Sequence, residues 1–102
     1  MATTTSKALF RGAATTTVGT TLYTVPSATT TVLTNIAVTN TAASSGTFTL
    51  GLAGTSLHTT TTIAANTTVY IDCKQVLTAT QTITGGASAT SINFHISGVE
   101  IA

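Results

Sequence analysis

No window of twelve residues in this chain repeats its apolar side chains at the 3.6-residue spacing of a helix, whereas several stretches alternate apolar and polar residues with a period of two. A period of two marks a half-buried strand, because successive side chains on a strand point to opposite faces. The clearest case is Ser91–Ile101, where Ile92, Phe94 and Ile96 share one face and Asn93 and His95 the other. Gly98 predicts a bulge there, after which Val99 and Ile101 resume the apolar phase. Thr47–Ala53 places Phe48, Leu50 and Leu52 inward. Thr30–Thr41 sets Val32, Ile36 and Val38 against Leu33, Asn35, Ala37 and Thr39, and its length predicts a central strand with a bend or bulge.

The remaining segments are shorter. Val18, Leu22 and Val25 mark a strand that stops at Pro26, the sole proline. Leu57–Ile63 is another, its register blurred by consecutive threonines. Val69, Ile71 and Cys73 share a face of Thr67–Cys73. Lys74–Leu77 breaks the alternation and reads as a short helical turn, and Gln81–Thr84 reads as a strand ahead of a Gly85-Gly86 turn. Ala42–Gly46 and Gly54-Thr55-Ser56 read as further turns. Roughly seven to nine strands at a spacing of about 8–12 residues predict an all-β fold, an antiparallel β-sandwich of jelly-roll or Greek-key type.

A length of 102 residues suits a single domain. Residues 14–102 form the sandwich in this reading, and residues 1–13 form an N-terminal arm. The arm begins with an unpatterned, threonine-rich stretch and ends in the apolar hook Ala8-Leu9-Phe10, followed by Arg11-Gly12. Leu9, Phe10 and Arg11 are the candidate assembly residues, gripping a neighbouring chain. The competing reading is a frayed end whose Leu9 and Phe10 cap the domain's own core.

Charge is nearly absent. Lys7, Arg11, Asp72, Lys74 and Glu100 are the only charged residues, 5% of the chain against roughly 25% in ordinary soluble domains. The net charge of +1 gives no field to steer nucleic acid or anionic lipid, and aromatic residues for base stacking are scarce. Disorder is equally disfavoured, since disordered chains combine low hydrophobicity with high net charge. Twenty-nine threonines fill the gap left by charge: they favour extended backbone and keep an outer face wet through hydroxyl groups. Charge is also a usual guard for open sheet edges. A sandwich without it is expected to cover its edges with neighbouring subunits.

The chemistry that titratable groups support finds few candidates. Asp72 and Glu100 are one formal carboxylate pair that no spacing brings together, and general acid–base work needs groups within hydrogen-bond reach. No Gly-x-Ser-x-Gly elbow is present. Cys73, the only cysteine, forms no internal disulfide and alternates in phase with Val69 and Ile71 as a buried apolar residue would. His58 and His95 lack the second cysteine or the carboxylate cluster of a metal centre. Asn66-Thr67-Thr68 matches a glycosylation sequon, a match that this much threonine produces by chance. The opening residues lack the apolar core of a secretory signal, and no stretch nears 18 apolar residues. The expectation is a non-enzymatic protein with no cofactor or metal and no nucleic-acid or membrane partner.

Several segments together carry a resemblance: Lys7–Ala13, Leu22-Tyr23-Thr24-Val25-Pro26, Val32–Thr41 with its Asn40-Thr41 end, Ala64-Ala65-Asn66, Tyr70-Ile71-Asp72, Gln75-Val76-Leu77 and Asn93–Ala102. Over nearly its whole length the chain resembles a group of small tailed-bacteriophage virion proteins, of a kind abundant in cyanophages. The resemblance implies β-sandwich or jelly-roll modules that form trimers, assembled in the host cytoplasm and carried in the virion. Such proteins decorate capsids as cement or build tail and fibre parts. Similar sequences often carry Ala-Gly-Asp after the Val-Leu pair, where this chain has Ala79-Thr80-Gln81. The change removes a carboxylate that could have held an ion or a trimer contact. The leading expectation is therefore a capsid decoration protein whose partners are copies of itself and the major capsid protein. The alternatives are a tail, fibre or baseplate component that contacts the host surface and a carbohydrate-binding sandwich module.

Overall fold

The computed structural model describes residues 3–17, 19–71 and 74–102, so the expectations placed on Val18, Asp72 and Cys73 fall outside it. Among the described residues there are nine strands and no helix, hence no helix long and apolar enough to cross a membrane. The strands are β1 (Thr4–Ala13), β2 (Thr21–Thr24), β3 (Thr30–Asn40), β4 (Gly46–Leu52), β5 (Thr55–Ile63), β6 (Thr67–Ile71), β7 (Gln75–Leu77), β8 (Thr82–Ala87) and β9 (Ile92–Ile101). They form two antiparallel sheets packed as a β-sandwich. One has the order β1-β9-β3-β6, with β7 also pairing β3; the other has the order β2-β8-β4-β5.

Alternation builds the core. Ile92, Phe94 and Ile96 of β9 and Ile36 and Val38 of β3 face Phe48, Leu50 and Ile83 of the other sheet, all buried. The rings of Phe48 and Phe94 meet edge-on, 6.4 Å between centroids at 73°, the arrangement that opposes ring edge to ring face. Asn40 is buried at the end of β3 with its amide satisfied. Its Nδ2 donates to the carbonyls of Ser44 (2.9 Å), Ala64 (3.3 Å) and Ile63 (3.4 Å), and its Oδ1 accepts from the amide of Ala42 (3.0 Å). One side chain thus ties β3 to the far end of β5 in the opposite sheet.

Several local expectations are corrected. The segment read as an arm is β1: it pairs antiparallel with β9 from Thr4↔Ile101 to Ala13↔Asn93. Its Leu9 is an extra residue between the pairs Ala8↔Ser97 and Phe10↔Ile96, and it is only 8% exposed. In β3 the register shifts between Leu33 and Asn35. This bulge at Thr34 reverses the phase, so Leu33 is buried with Ile36 while Val32 is half-buried.

The predicted bulge at Gly98 lies instead on its two neighbours, and β9 runs straight between them. Gly98 is where they converge: an added Cβ would stand 2.6 Å from the Val32 carbonyl oxygen and 2.8 Å from Leu9 Cδ1. Leu9 occupies the space that the missing side chain leaves.

Lys74–Leu77 contains strand β7 rather than a helical turn. Gly85 and Gly86 lie inside β8 rather than in a turn, because a Cβ on Gly85 would press on Leu50 at 2.9 Å, the Thr49 carbonyl at 3.0 Å and Leu22 at 3.1 Å. The β4–β5 hairpin turns on Ala53 and Gly54, both with positive φ (52° and 80°), as tight hairpins require. Thr80 takes the left-handed conformation (φ 71°) in the turn between β7 and β8.

Candidate assembly surface

Tyr23, Glu100 and Lys7 meet where the two sheets are joined by polar contacts beyond the apolar core. Tyr23 on β2 reaches across to β9 and donates its hydroxyl proton to the Glu100 carboxylate. Since that proton is committed, Thr31 of β3 must donate to Tyr23, at 3.0 Å. Lys7 of β1 sits 3.5 Å from both Glu100 oxygens. The chain Thr31→Tyr23→Glu100←Lys7 thereby links four strands from both sheets. Burial raises the Tyr23 pKa above its ordinary value, and the neighbouring Glu100 carboxylate raises it further. The cluster is a tie between layers: each group is matched to a partner, and Thr31 is fully buried.

The histidines are held apart. His58 packs its ring on Phe48 (5.5 Å) on the inner side of β5, with Nδ1 3.2 Å from Thr61 Oγ1. His95 lies on the outer face of the other sheet. Among the described residues no three metal-ligating side chains come together.

The three residues expected to grip a neighbour separate into two roles. Leu9 is buried in the chain's own core, and Phe10 is half-buried against it. Arg11 alone projects outward. Its ladder neighbours define a row across the outer face of the five-stranded sheet: Arg11 (β1) opposite His95 (β9), opposite Ala37 (β3), opposite Tyr70 (β6). The adjacent row is Ala13, Asn93, Thr39 and Thr68, with Thr39 and Thr68 hydroxyls 3.1 Å apart. The row is small-residued in the middle, at Ala37, with an arginine at one margin and a tyrosine 72% exposed at the other. The sequence placed His95 on an outer face and gave Tyr70 no role of its own. Their even spacing along strands gave the face, but only the register aligns them with Arg11.

Val76 on β7 is also exposed (61%). It borders a shallow groove of about 300 Å³ between β7 and the β4–β5 hairpin, lined by Leu52, Leu57, Gln75, Leu77 and Gln81. The groove is the mouth of the sandwich on this side, where the two layers part.

No protein-family model matches the chain, and no curated protein matches it.

Proposed function

We propose that this chain is a structural subunit of a phage virion, a decoration protein that lies on the head and reinforces it by binding copies of itself and the major capsid protein. Its fold in this reading is a jelly roll. Strand pairing supports that winding: β1·β9, β2·β8, β3·β6 with β7, and β4·β5 are successive pairs of one antiparallel ribbon folded back at the β4–β5 hairpin. Rolling such a ribbon produces the two strand orders above. Viral shell and lectin domains share this winding, so function must be argued from surface rather than fold.

The observation that carries the reading is the Arg11–His95–Ala37–Tyr70 row across the outer face of the five-stranded sheet. Arginine and tyrosine are the residues on which interfaces concentrate binding energy, and small residues between them let a partner approach closely. Many copies on a shell multiply weak contacts through effective concentration. The trimer is the stoichiometry that the resemblance implies.

Removing residues 1–13 would strip β1 from β9 and so does not isolate the contact; a point change at Arg11 does. Arg11→Glu is expected to lower occupancy on particles while leaving the circular dichroism spectrum unchanged. Gel quantification of purified particles should find a copy number comparable with that of the major capsid protein. A few copies per particle, or full occupancy by the variant, would overturn the assignment.

A further inference from the structure

Among the described residues five strands border the sheets, β1, β2, β5, β6 and the three-residue β7 in line with β6 along β3, and the first three are blunted. Bulges interrupt β1 at Leu9, β2 at Leu22, and β5 at Leu57 and again at Thr59–Thr60. At the last of these Thr60 has φ 48° and its amide donates to Thr49 Oγ1 at 3.0 Å. Bulges and charges are the devices by which sheets prevent unwanted edge pairing. The edge strand β6 carries neither. It pairs with β3 through Ile71↔Ile36, Tyr70↔Ala37, Val69↔Val38, Thr68↔Thr39 and Thr67↔Asn40 with no break in register, and none of its residues is charged.

We propose that β6 is an assembly edge, to which a second copy of this chain adds its own β6 antiparallel across a two-fold axis. The placement of charge selects this occupant. Lys7 and Arg11 both lie on β1, the opposite border of the same sheet. Three strand spacings separate β1 from β6, roughly 14 Å. That exceeds the screening length of about 8 Å at physiological salt. Joining copies through β1 would bring Lys7 and Arg11 of both chains to one seam; joining them through β6 keeps all of these apart. The strand is also compatible with itself. Centred on Val69, the pairing sets Thr68 of one copy against Tyr70 of the other on the outer face, and Thr67 against Ile71 on the inner. The nearest described charge, Lys74, falls level with Ala64. A contact of this kind is isologous, using the same patch on both partners, and it satisfies the backbone groups along both edges.

The proposal rests on the self-association part of the reading above, not on virion location or on the trimer. Sedimentation equilibrium of the full chain over a concentration series tests it, with Thr68→Lys as the probe and Thr59→Lys on the bulged β5 edge as the control. Thr68 and Thr59 are both exposed, and circular dichroism checks that each variant folds. The wild type should self-associate, Thr68→Lys should weaken association by at least about tenfold through like-charge repulsion at the seam, and Thr59→Lys should leave it unchanged. Association that resists Thr68→Lys, or yields equally to Thr59→Lys, overturns the β6 assignment alone. A wild type that remains monomeric throughout overturns self-association as well.

Discussion

The two borders of the five-stranded sheet, β1 and β6, both open on threonines but are built differently. β1 carries two of the chain's five charges, a bulge, and in Leu9 a core side chain that plugs the space over Gly98. β6 is unbroken and uncharged, with Tyr70 and Thr68 on its outer face. β1 is therefore locked to its own domain and closed to others, while β6 is left able to pair. In a chain so poor in charge, placing cations along one border leaves the other as the border on which the proposed pairing of copies rests. The contrast also separates stability from assembly, and each can be disturbed alone.

The largest effect should come from the core side of β1. Leu9→Ala leaves a cavity over Gly98 and is expected to cost about 3 kcal/mol in denaturant unfolding, whereas Tyr70→Ala on β6 should shift it by less than about 0.5 kcal/mol. Equal losses would break the contrast. Next comes Gly98→Ala: its Cβ meets the Val32 carbonyl, a backbone atom that cannot swing aside, as well as Leu9. A loss of about 2 kcal/mol is expected, with Leu9→Ala in the same chain relieving part of it because only the Leu9 clash is removable.

Tyr23→Phe removes the hydroxyl that joins the two sheets and should cost about 1 kcal/mol at neutral pH. The pH dependence has a definite sign. Burial and then the Glu100 carboxylate raise the folded-state pKa of Tyr23, so this contribution is complete below the unfolded value near 10 and is lost as pH rises through the higher folded value. Melting temperature should therefore fall more steeply above about pH 10 in the wild type than in Tyr23→Phe. The smallest effect is Lys7→Ala. Its ammonium is exposed and 3.5 Å from the carboxylate, so the loss should be about 0.5 kcal/mol and should vanish in high salt. A larger loss would mean that β1 is held by its ion pair rather than by Leu9.

The sequence disclosed the all-β sandwich because strict alternation in segments such as Ile92–Ile96 and Phe48–Leu52 admits no other regular structure. What it hid were places where packing overrides local pattern. The run around Lys7–Arg11 lacks alternation because Leu9 is a bulge residue, and a bulged strand looks like an unpatterned arm. Leu33 appeared on the wrong face for the same reason, since one extra residue at Thr34 reverses the phase. Gly85-Gly86 carries turn chemistry, yet close approach of Leu50 and Leu22 demands glycine inside the strand. The polar tie was illegible because Tyr23 and Glu100 lie 77 residues apart, and no spacing rule connects them. Arg11 was named from the sequence as a candidate and is exposed, but its alignment with His95 and Tyr70 depends on register, a property of pairing rather than of any one strand.

Amide hydrogen exchange across a concentration series bears most directly on the claim that β6, and not β1, is where chains meet. Slower exchange in residues 67–71 as protein concentration rises, with residues 4–13 unchanged, is the predicted result. Exchange in 67–71 that is independent of concentration, or protection that grows in 4–13 instead, would contradict it.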